Sequence, residues 1–266
     1  MKRLVVLVSV ALLGTMGSAR AQKVDEAGLT KKIDKLEADS KDPKKNGKAS
    51  LWLNLGKAYY DAGAAITSQV FRGMDELTAQ LTIGKLDGQP KTVDGKEYKV
   101  FNYPYVDLYF SDGVMHFWDV TKPVFVGDLD KAAAAYQKAY DMDKSSSTAT
   151  KVKEGMQSVV DAYKQMADNE YVRRQFKAAA GYFAKAYDLA AGDVLHKIDT
   201  LSGYNAGLLA TVAMDYPMGE KYLKAAIDNN YTMDGDVYYY LSICYNGENK
   251  TGEAKDILQT ALSKYP

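Results

Sequence analysis

The sequence is poor in the residues that build covalent and metal cross-links. Its 266 residues include one cysteine, Cys244, and two histidines, His116 and His196. A single cysteine excludes an intrachain disulfide, even in an oxidising compartment. Neither histidine stands near a cysteine or a carboxylate cluster at ligand spacing, which argues against zinc. We therefore expect no metal, and we expect Cys244 to be a packed, unreactive thiol inside a helix.

An excess of charge of either sign is also missing. The 34 Lys and Arg residues balance the 34 Asp and Glu residues, so the formal net charge is zero. This balance gives neither the basic footprint of a nucleic-acid-binding protein nor a polybasic membrane patch. Catalytic motifs are absent as well. The segment that comes near a phosphate loop, Gly47-Lys48-Ala49-Ser50, lacks the upstream glycine of that motif. We expect neither an enzyme nor a cofactor.

The first 21 residues match a secretory signal peptide. Lys2 and Arg3 precede an apolar run over residues 4–13, and Ala19-Arg20-Ala21 is a small-residue cleavage site. We predict cleavage after Ala21. No later stretch is long and apolar enough to span a bilayer. These features predict an exported protein without a transmembrane segment, either periplasmic or secreted.

The remaining apolar pattern repeats along the chain. Near the end, large and small residues at helical spacing predict a helix pair; they are Tyr238, Leu241, Ser242, Tyr245, Ala254, Leu258 and Ala261. Near the start, Trp52, Leu55, Gly56 and Tyr59 give the first half of the same pattern, with Gly56 allowing a partner helix to approach closely. The same four residues occupy 138–141 and 185–188, 47 positions apart. This indicates internal duplication.

Residues 72–127 interrupt the pattern. Asp94-Gly95 and Asp112-Gly113 are typical of hairpin turns, and β-branched and aromatic residues dominate the segments between and around them. We predict a small antiparallel meander of two to three strands, with a turn at Leu86–Pro90. The aromatic residues of this insertion should pack on the helices, and the sequence leaves open whether some of them form a binding face.

The repeated pattern resembles that of the tetratricopeptide-repeat (TPR) family across most of the mature chain. The similarity is strongest at residues 51–60, 128–142 and 238–266, and it is greatest to exported members from Bacteroidetes-type bacteria that carry an internal β insertion. The resemblance implies a mainly α fold: an α-solenoid of helix hairpins whose first helices line a concave groove. It also implies binding of peptides or partner proteins rather than catalysis.

On this interpretation the chain divides into a signal peptide (1–21), an N-terminal helix and linker (22–47), a first repeat helix (48–71), an inserted β-meander (72–127), the second helix of the first repeat (128–148), a second helical pair (149–199), a third repeat (200–234) and a fourth repeat (235–266). The last helix carries Ile257, Leu258 and Leu262. We expect at least one of them to be exposed, because no further repeat helix follows to cover them.

In a solenoid, the residues one turn beyond the packing positions of each first helix face the groove. With one aromatic residue of the insertion added, the candidate partner-binding residues are Asn54, Lys57, Tyr60, Lys164, Tyr171, Tyr204, Asn205, Tyr239, Asn246 and Trp118. Asp168 occupies the same kind of position. Such side chains can clamp an extended peptide backbone or a terminal carboxylate. The alternative is that each is an ordinary solvated or neighbour-packing residue.

Two functions from different classes remain. The first is an exported, non-catalytic scaffold that mediates protein–protein or peptide binding in the cell envelope. The second is a glycan- or peptidoglycan-associated module whose insertion stacks on sugar rings through Tyr103, Tyr105, Tyr109 and Trp118. An enzyme assembled from unremarkable carboxylates has no support beyond the acidic content. The sequence leaves the partner and the oligomeric state open.

Overall fold

A computed structural model describes residues 24–85, 87–124, 128–144 and 147–265. The predicted signal peptide lies outside the described residues. The described chain forms these helices and strands: α1 (Glu26–Lys41), α2 (Ala49–Ala64), α3 (Glu76–Thr82), β1 (Gln89–Val93), β2 (Lys96–Asn102), β3 (Val106–Ser111), β4 (Val114–Val120), α4 (Asp128–Met142), α5 (Ser147–Val172), α6 (Phe176–Ala191), α7 (Thr200–Val212), α8 (Tyr216–Asp228), α9 (Asp236–Gly247) and α10 (Thr251–Lys264).

The prediction of a mainly helical chain with a small antiparallel sheet is confirmed. The sheet has four strands in the order β1-β2-β3-β4, one more than the upper end of our prediction. Two of its three hairpin turns are Asp94-Gly95 and Asp112-Gly113, with positive φ at each residue, as the sequence predicted. Among the described helices, none is both long and apolar enough to cross a membrane.

Two elements of the insertion were not predicted. Strand β1 includes Gln89 and Pro90, where we expected a turn. Four of its five residues are exposed, so the strand has no apolar face and lacks the alternation that identifies strands in a sequence. Helix α3 is too short for an apolar period to stand out, and it begins where the Asp75 carboxylate accepts the Thr78 backbone N–H at 2.8 Å.

Both edges of the sheet are protected. Pro90 and Lys91 lie on the edge strand β1, where a missing N–H and a charged side chain discourage pairing with another chain. The outer edge of β4 is covered by other parts of the same molecule. Met115 exchanges backbone hydrogen bonds of 2.8 Å with the Gly73–Met74 segment. Farther along β4, Trp118 bonds to a side chain of α5, so the sheet is fixed to the helices.

The two faces of the sheet pack differently. One face carries Phe101, Leu108, Phe110 and Trp118, which share a buried cluster with residues 66–83 after α2 and on α3. The other face carries a smaller cluster of Val100, Tyr109 and Phe117, against which Val172 at the end of α5 packs; the Tyr109 and Phe117 rings stack with centroids 4.3 Å apart. The aromatic residues of the insertion are therefore largely core residues.

The helices outside the insertion pack in chain order, α1 on α2, α2 on α4, and then each helix from α4 to α9 on the one that follows it. Polar contacts also join alternate helices. Along the second helices, Asp130 of α4 pairs with Lys185 of α6 at 2.7 Å, and Asp188 of α6 pairs with Lys221 of α8 at 3.2 Å. A third link runs from Glu220 of α8 to Lys250, the residue before α10, at 2.6 Å.

The first helices are linked in the same way. Tyr60 of α2 lies within electrostatic reach of Asp161 of α5. Thr211 of α7 lies 3.0 Å, between Oγ1 and Sγ, from Cys244 of α9. Cys244 has no exposed surface, and its burial raises the pKa of the thiol, so the prediction of a packed cysteine is confirmed. Lys164 of α5 pairs with Asp199, directly before α7, at 2.9 Å, so polar side chains link each helix pair to the next on both sides.

The same turn joins the first helix to the second in three of these pairs. Arg174, Met214 and Asn249 each adopt a left-handed conformation, with φ of 59°, 62° and 62°. The following residue donates its backbone N–H to a carbonyl five residues back in each case, from Gln175 to Glu170, from Asp215 to Ala210 and from Lys250 to Tyr245. Between α2 and α4 the insertion replaces this turn.

Close approach of helices depends on glycine where the sequence predicted it. A Cβ atom added to Gly56 would lie 2.7 Å from the Tyr136 ring of α4, which is too close to be tolerated without a shift. Gly155 of α5 meets the same ring from the other side, at 2.4 Å. Tyr136 therefore packs between two glycines on successive first helices, and the prediction for Gly56 is confirmed.

Candidate functional site

The candidate residues of α2 lie near the beginning of the helical stack. Asn54 and Lys57 are exposed, and Lys57 forms an ion pair of 2.9 Å with Asp61 one turn along the same helix. Tyr60 is half-buried against α5, and this burial raises the pKa of its hydroxyl. An exposed pair of this kind contributes little to stability. These residues form a solvated surface with one packed tyrosine.

The candidate residues of α7 are not on an open surface. Every residue from Ser202 to Thr211 is buried. Tyr204 is 4% exposed, and its ring packs on Tyr231 with centroids 5.5 Å apart. The expectation of an open groove along this helix needs correction at Tyr204, because the segment that follows α8 folds back over it. Asn205, which directly follows Tyr204 in the chain, is 6% exposed.

The remaining candidates are scattered. Trp118 is 3% exposed in the core of the sheet, so its ring is not available to a partner. Tyr171 is half-buried and packs on Phe176, with ring centroids 6.1 Å apart. Tyr239 and Asn246 are exposed on α9. No contact within the described residues joins the α9 pair to the candidates on α2 or α5.

The structure joins Lys164 of α5 to the beginning of α7, the helix that carries Asn205. Lys164 donates to the Asp199 carboxylate at 2.9 Å, across the two helices. Asp199 also caps α7 by accepting the Ser202 backbone N–H at 3.1 Å. Asn205 lies three residues beyond Ser202 and hence on the same side of α7. We call the surface formed by Arg72, Lys164, Asp168, Asp199 and Asn205 the α5–α7 cleft.

The insertion delivers Arg72 to this cleft. The segment that carries Arg72 is held on one side by Gln165, which donates to the Val70 carbonyl at 2.6 Å, and on the other by the Gly73–Met115 backbone hydrogen bond. Arg72 lies within electrostatic reach of Asp168, which also lies near Lys164. Residues from three separate parts of the chain therefore contribute to one polar surface.

Several polar groups of the cleft lack hydrogen-bond partners among the described residues. The Nε atom of Arg72 is buried and unpaired, and the buried Ser202 hydroxyl lies beside Asp199 without reaching hydrogen-bond geometry. The side chains of Asn205 and Asp168 also make no hydrogen bond within the described chain, but their polar atoms keep some contact with solvent. A buried polar group without a partner costs roughly 1–3 kcal/mol. Such groups in one place indicate that a polar partner is to be expected there.

The two carboxylates of the cleft have pKa values displaced in opposite directions. Burial raises the pKa of Asp168, and the nearby Arg72 and Lys164 do not compensate for it. Burial acts in the same sense on Asp199, but the hydrogen bonds from Lys164 and from the Ser202 backbone outweigh it, so the pKa of Asp199 is lowered. Asp199 is therefore a firmly ionised structural anchor, whereas Asp168 is an acceptor whose charge is poorly solvated.

This arrangement provides donors and acceptors rather than reactive groups. Arg72 and Lys164 are donors, Asp168 is an acceptor, and the amide of Asn205 is both. Among the described residues, no group of three or more His, Cys, Asp and Glu side chains is placed to hold a metal ion. His116 lies in β4, near Arg72, and burial lowers its pKa. The cleft can hold a polar ligand by hydrogen bonds.

Two surface depressions lie away from the cleft. One, of about 560 Å³, runs along the exposed side of α1 and is lined by residues 26–34. The other, of about 520 Å³, lies beside α8 and the turn before α10 and is lined mainly by Lys and Glu side chains. Both are shallow. Several of the lining side chains form surface ion pairs, as Glu220 and Lys250 do. The depression beside α8 also contains a buried oxygen without a partner, Oε1 of Glu248, but the other oxygen of that carboxylate pairs with Lys250 at 2.6 Å.

Two residues of the cleft were missed from the sequence. Asp199 could have been found, because an aspartate directly before a run of helix-forming residues is an N-cap signal. Arg72 carried no signal, since it lies in an irregular segment whose position depends on the docking of the insertion. The chain matches no family model and no curated protein. The proposed function therefore depends on the cleft and on the helix packing.

Proposed function

We propose that this protein is an exported, non-catalytic repeat scaffold of the TPR type, which binds an extended segment of a partner protein or peptide in the cell envelope. The binding site in this proposal is the α5–α7 cleft. The observation that carries it is the buried, unpaired Nε atom of Arg72, which lies near the poorly solvated carboxylate of Asp168.

The helix packing supports the repeat architecture. First helices contact first helices and second helices contact second helices, through Lys164–Asp199 on one side and Asp130–Lys185 and Asp188–Lys221 on the other. The turn within the pair also recurs with the same backbone hydrogen bond. In an α-solenoid each hairpin contacts its neighbours in this manner. We infer that the array is a TPR-like solenoid, with the insertion placed at the turn of its first hairpin.

The chemistry of the cleft favours a peptide backbone as the ligand. A peptide unit has one acceptor and one donor, and an asparagine side chain can satisfy both at once. Arg72 offers a further N–H, and Asp168 offers a further acceptor. The cleft carries Asp168 and Asp199 as well as Arg72 and Lys164, so its charges balance. A neutral extended segment suits this surface better than an anion, because an anion would face the two carboxylates.

The glycan-binding alternative has no comparable support. Tyr103, Tyr109 and Trp118 are 8%, 2% and 3% exposed. The fourth ring, Tyr105, is covered by the Lys122 ammonium group at 5.2 Å, and its hydroxyl donates to Glu26 at 3.0 Å. Stacking on a sugar requires an open ring face. We therefore do not extend the proposal to glycans.

Site-specific photo-crosslinking in intact cells tests the proposal. A photoreactive residue is placed at Asp168 in the cleft and, as a matched control, at Lys177, which is exposed on α6. The cleft position should capture a specific protein partner that the control does not, and Asn205→Ala should reduce the yield. Capture of no protein above background at Asp168, or of the same proteins at both positions, overturns the proposal. Mass spectrometry of the purified protein checks export, for which we expect Gln22 at the N-terminus.

A further inference from the structure

The sequence contains two Asn-Gly dipeptides, and the structure places them in different environments. Asn46-Gly47 lies in the turn between α1 and α2, whereas Asn246-Gly247 forms the last two residues of α9. An asparagine that precedes glycine can lose its side-chain amide spontaneously, because glycine has no side chain to obstruct attack by its own backbone nitrogen. The two dipeptides have the same composition, so only the structure around them can make their reactivities differ.

The reacting groups of Asn46-Gly47 are free to meet. Among the described residues, neither the Asn46 side chain nor the Gly47 N–H has a hydrogen-bond partner. Gly47 is exposed, and a Cβ atom added to it would find no atom within 4 Å. One contact restrains the reaction, since the Asn46 carbonyl accepts the Trp52 indole N–H at 2.8 Å. Attack requires rotation about the Cα–C bond of Asn46, and this rotation turns the carbonyl away from Trp52.

In α9 the same two residue types are held in place. Asn246 and Gly247 are both exposed, so access of water does not protect this dipeptide. The helical backbone does, because it directs the Gly247 N–H towards the carbonyl four residues back and away from the Asn246 side chain. Gly247 also packs closely on α8, where an added Cβ atom would lie 2.3 Å from the Tyr216 ring. The rotation that brings nitrogen and side chain together would disrupt both the helix end and this contact.

We propose that Asn46 is a site of spontaneous deamidation whose rate is restrained by the hydrogen bond from Trp52. The Gly47 backbone nitrogen loses its proton and attacks Cγ of Asn46. A new C–N bond closes a succinimide ring, and the side-chain amide nitrogen leaves as ammonia. Water then opens the ring at either of its two carbonyl carbons. The products are aspartate and isoaspartate, and the reaction needs no reactant other than water.

The modification changes both charge and geometry at the junction between α1 and α2. Each product replaces a neutral amide by a carboxylate in a segment that also contains Lys44, Lys45 and Lys48. In the isoaspartate product the chain continues through the former side chain, so the backbone is longer by one carbon atom. The carbonyl that accepts the Trp52 N–H then becomes part of a free carboxylate. The Lys138 ammonium group lies 3.8 Å from the centre of the Trp52 ring, so the altered group is next to a contact between α2 and α4.

Peptide mapping by mass spectrometry tests this proposal on the purified, folded protein incubated in mildly alkaline buffer. Asn46 should convert to a mixture of aspartate and isoaspartate, while Asn246 in the same molecules keeps its amide. In protein unfolded by urea the two sites should react at similar rates, because the helix that protects Asn246 is lost. Gly47→Ala should slow the reaction at Asn46 at least about tenfold, since a Cβ atom obstructs the attack.

A second variant tests the restraint by Trp52. Trp52→Phe keeps an aromatic ring but removes the N–H, and it should accelerate deamidation of Asn46 about fivefold, the factor expected from the loss of one hydrogen bond. The rate at Asn246 should stay unchanged and shows that the variant remains folded. An Asn46 side chain that stays intact in the folded protein while it reacts in urea overturns the proposal. Equal rates at the two sites in the folded protein, or a Trp52→Phe rate at Asn46 that is unchanged or rises equally at Asn246, overturn it as well. None of these results depends on the peptide partner.

Discussion

Asn169 is the residue through which α5 holds the sheet. Its side chain accepts the Trp118 backbone N–H at 2.9 Å and donates to the Trp118 carbonyl at 3.1 Å. It thereby takes the place of a neighbouring strand at the edge of β4, and the contact is buried. Arg173, one turn later on the chain, adds an ion pair of 2.7 Å with Asp119. These two side chains fix the edge of the sheet next to the cleft.

Asn169→Ala should destabilise the protein by about 2–3 kcal/mol, because it leaves both backbone groups of Trp118 buried without a partner. Urea unfolding followed by circular dichroism measures the change. Asn246→Ala, at an exposed asparagine of α9, should change stability by less than about 0.5 kcal/mol. Equal stability of the two variants would show that Asn169 does not hold the sheet.

Asp199→Asn isolates the ion pair that crosses the cleft. Asparagine is also a good N-cap, so α7 keeps its cap while the attraction to Lys164 is lost. The folded pKa of Asp199 lies below its ordinary value, so its stabilising effect is present above that ordinary value and is lost as the pH falls through the folded pKa. We expect the variant to be less stable by about 1 kcal/mol at neutral pH.

The pH dependence is the diagnostic part of this experiment. Unfolding measured across the acidic range should show the wild-type advantage shrinking to nothing as the pH falls below the folded pKa of Asp199. Asp141→Asn, at an exposed carboxylate of α4, serves as the control and should show no such trend of comparable size. A difference between wild type and Asp199→Asn that stays constant with pH would contradict an ionised anchor at this position.

At the scale of single elements, the turn between the two helices of a pair is the most regular feature. It recurs after α5, α7 and α9 with a left-handed residue that is arginine, methionine or asparagine. Because the residue type differs each time, the turn is fixed by the packing of the two helices and by the carbonyl that accepts the closing hydrogen bond. Glycine, the residue best suited to this backbone, occupies none of the three positions.

Met214→Gly should therefore stabilise the protein. Its φ of 62° is unfavourable for a side-chain-bearing residue, and the side chain is 73% exposed, so little packing is lost. We expect a gain of about 0.5–1 kcal/mol after allowing for the greater freedom of glycine in the unfolded chain. Met214→Ala keeps the strain and should be nearly neutral by thermal unfolding. A destabilised glycine variant would show that this methionine has a packing role.

For the whole molecule, the insertion and the helices form shared clusters and should unfold together. Residues 66–83 pack with the sheet on one face, and Val172 of α5 packs on the other. The N-terminal helix also reaches the insertion, since Glu26 pairs with Lys122 at 2.7 Å. An insertion attached through a flexible linker would show none of these contacts.

The two tryptophans report separately on the unfolding of the inserted sheet and of the helices. Trp52 lies in α2 and Trp118 in β4. In Trp52→Phe, the fluorescence of Trp118 reports on the sheet, and circular dichroism reports on the helices of the same sample. The two urea transitions should coincide, as in cooperative two-state unfolding. Trp118→Phe provides the complementary measurement from Trp52. A sheet transition well below the helical one would indicate an independent module.

The sequence by itself determined the features that depend on local spacing. The helical period and its small residues predicted the helix pairs and the close approach at Gly56, which meets Tyr136. The Asp-Gly dipeptides predicted two hairpin turns, because few residues tolerate that backbone. The same information also placed Cys244 inside a helix. Each of these features is decided by residues that are neighbours in the chain or one helical turn apart.

The tertiary structure alone decided which of the candidate residues face one another. It buried Tyr204 under Tyr231, left Tyr239 and Asn246 outside, and joined Lys164 of α5 to Asp199 before α7. It also carried Arg72 into the cleft. The reason is physical: a helical period gives the direction of a side chain from its own helix, but the neighbour it meets depends on how a distant segment docks.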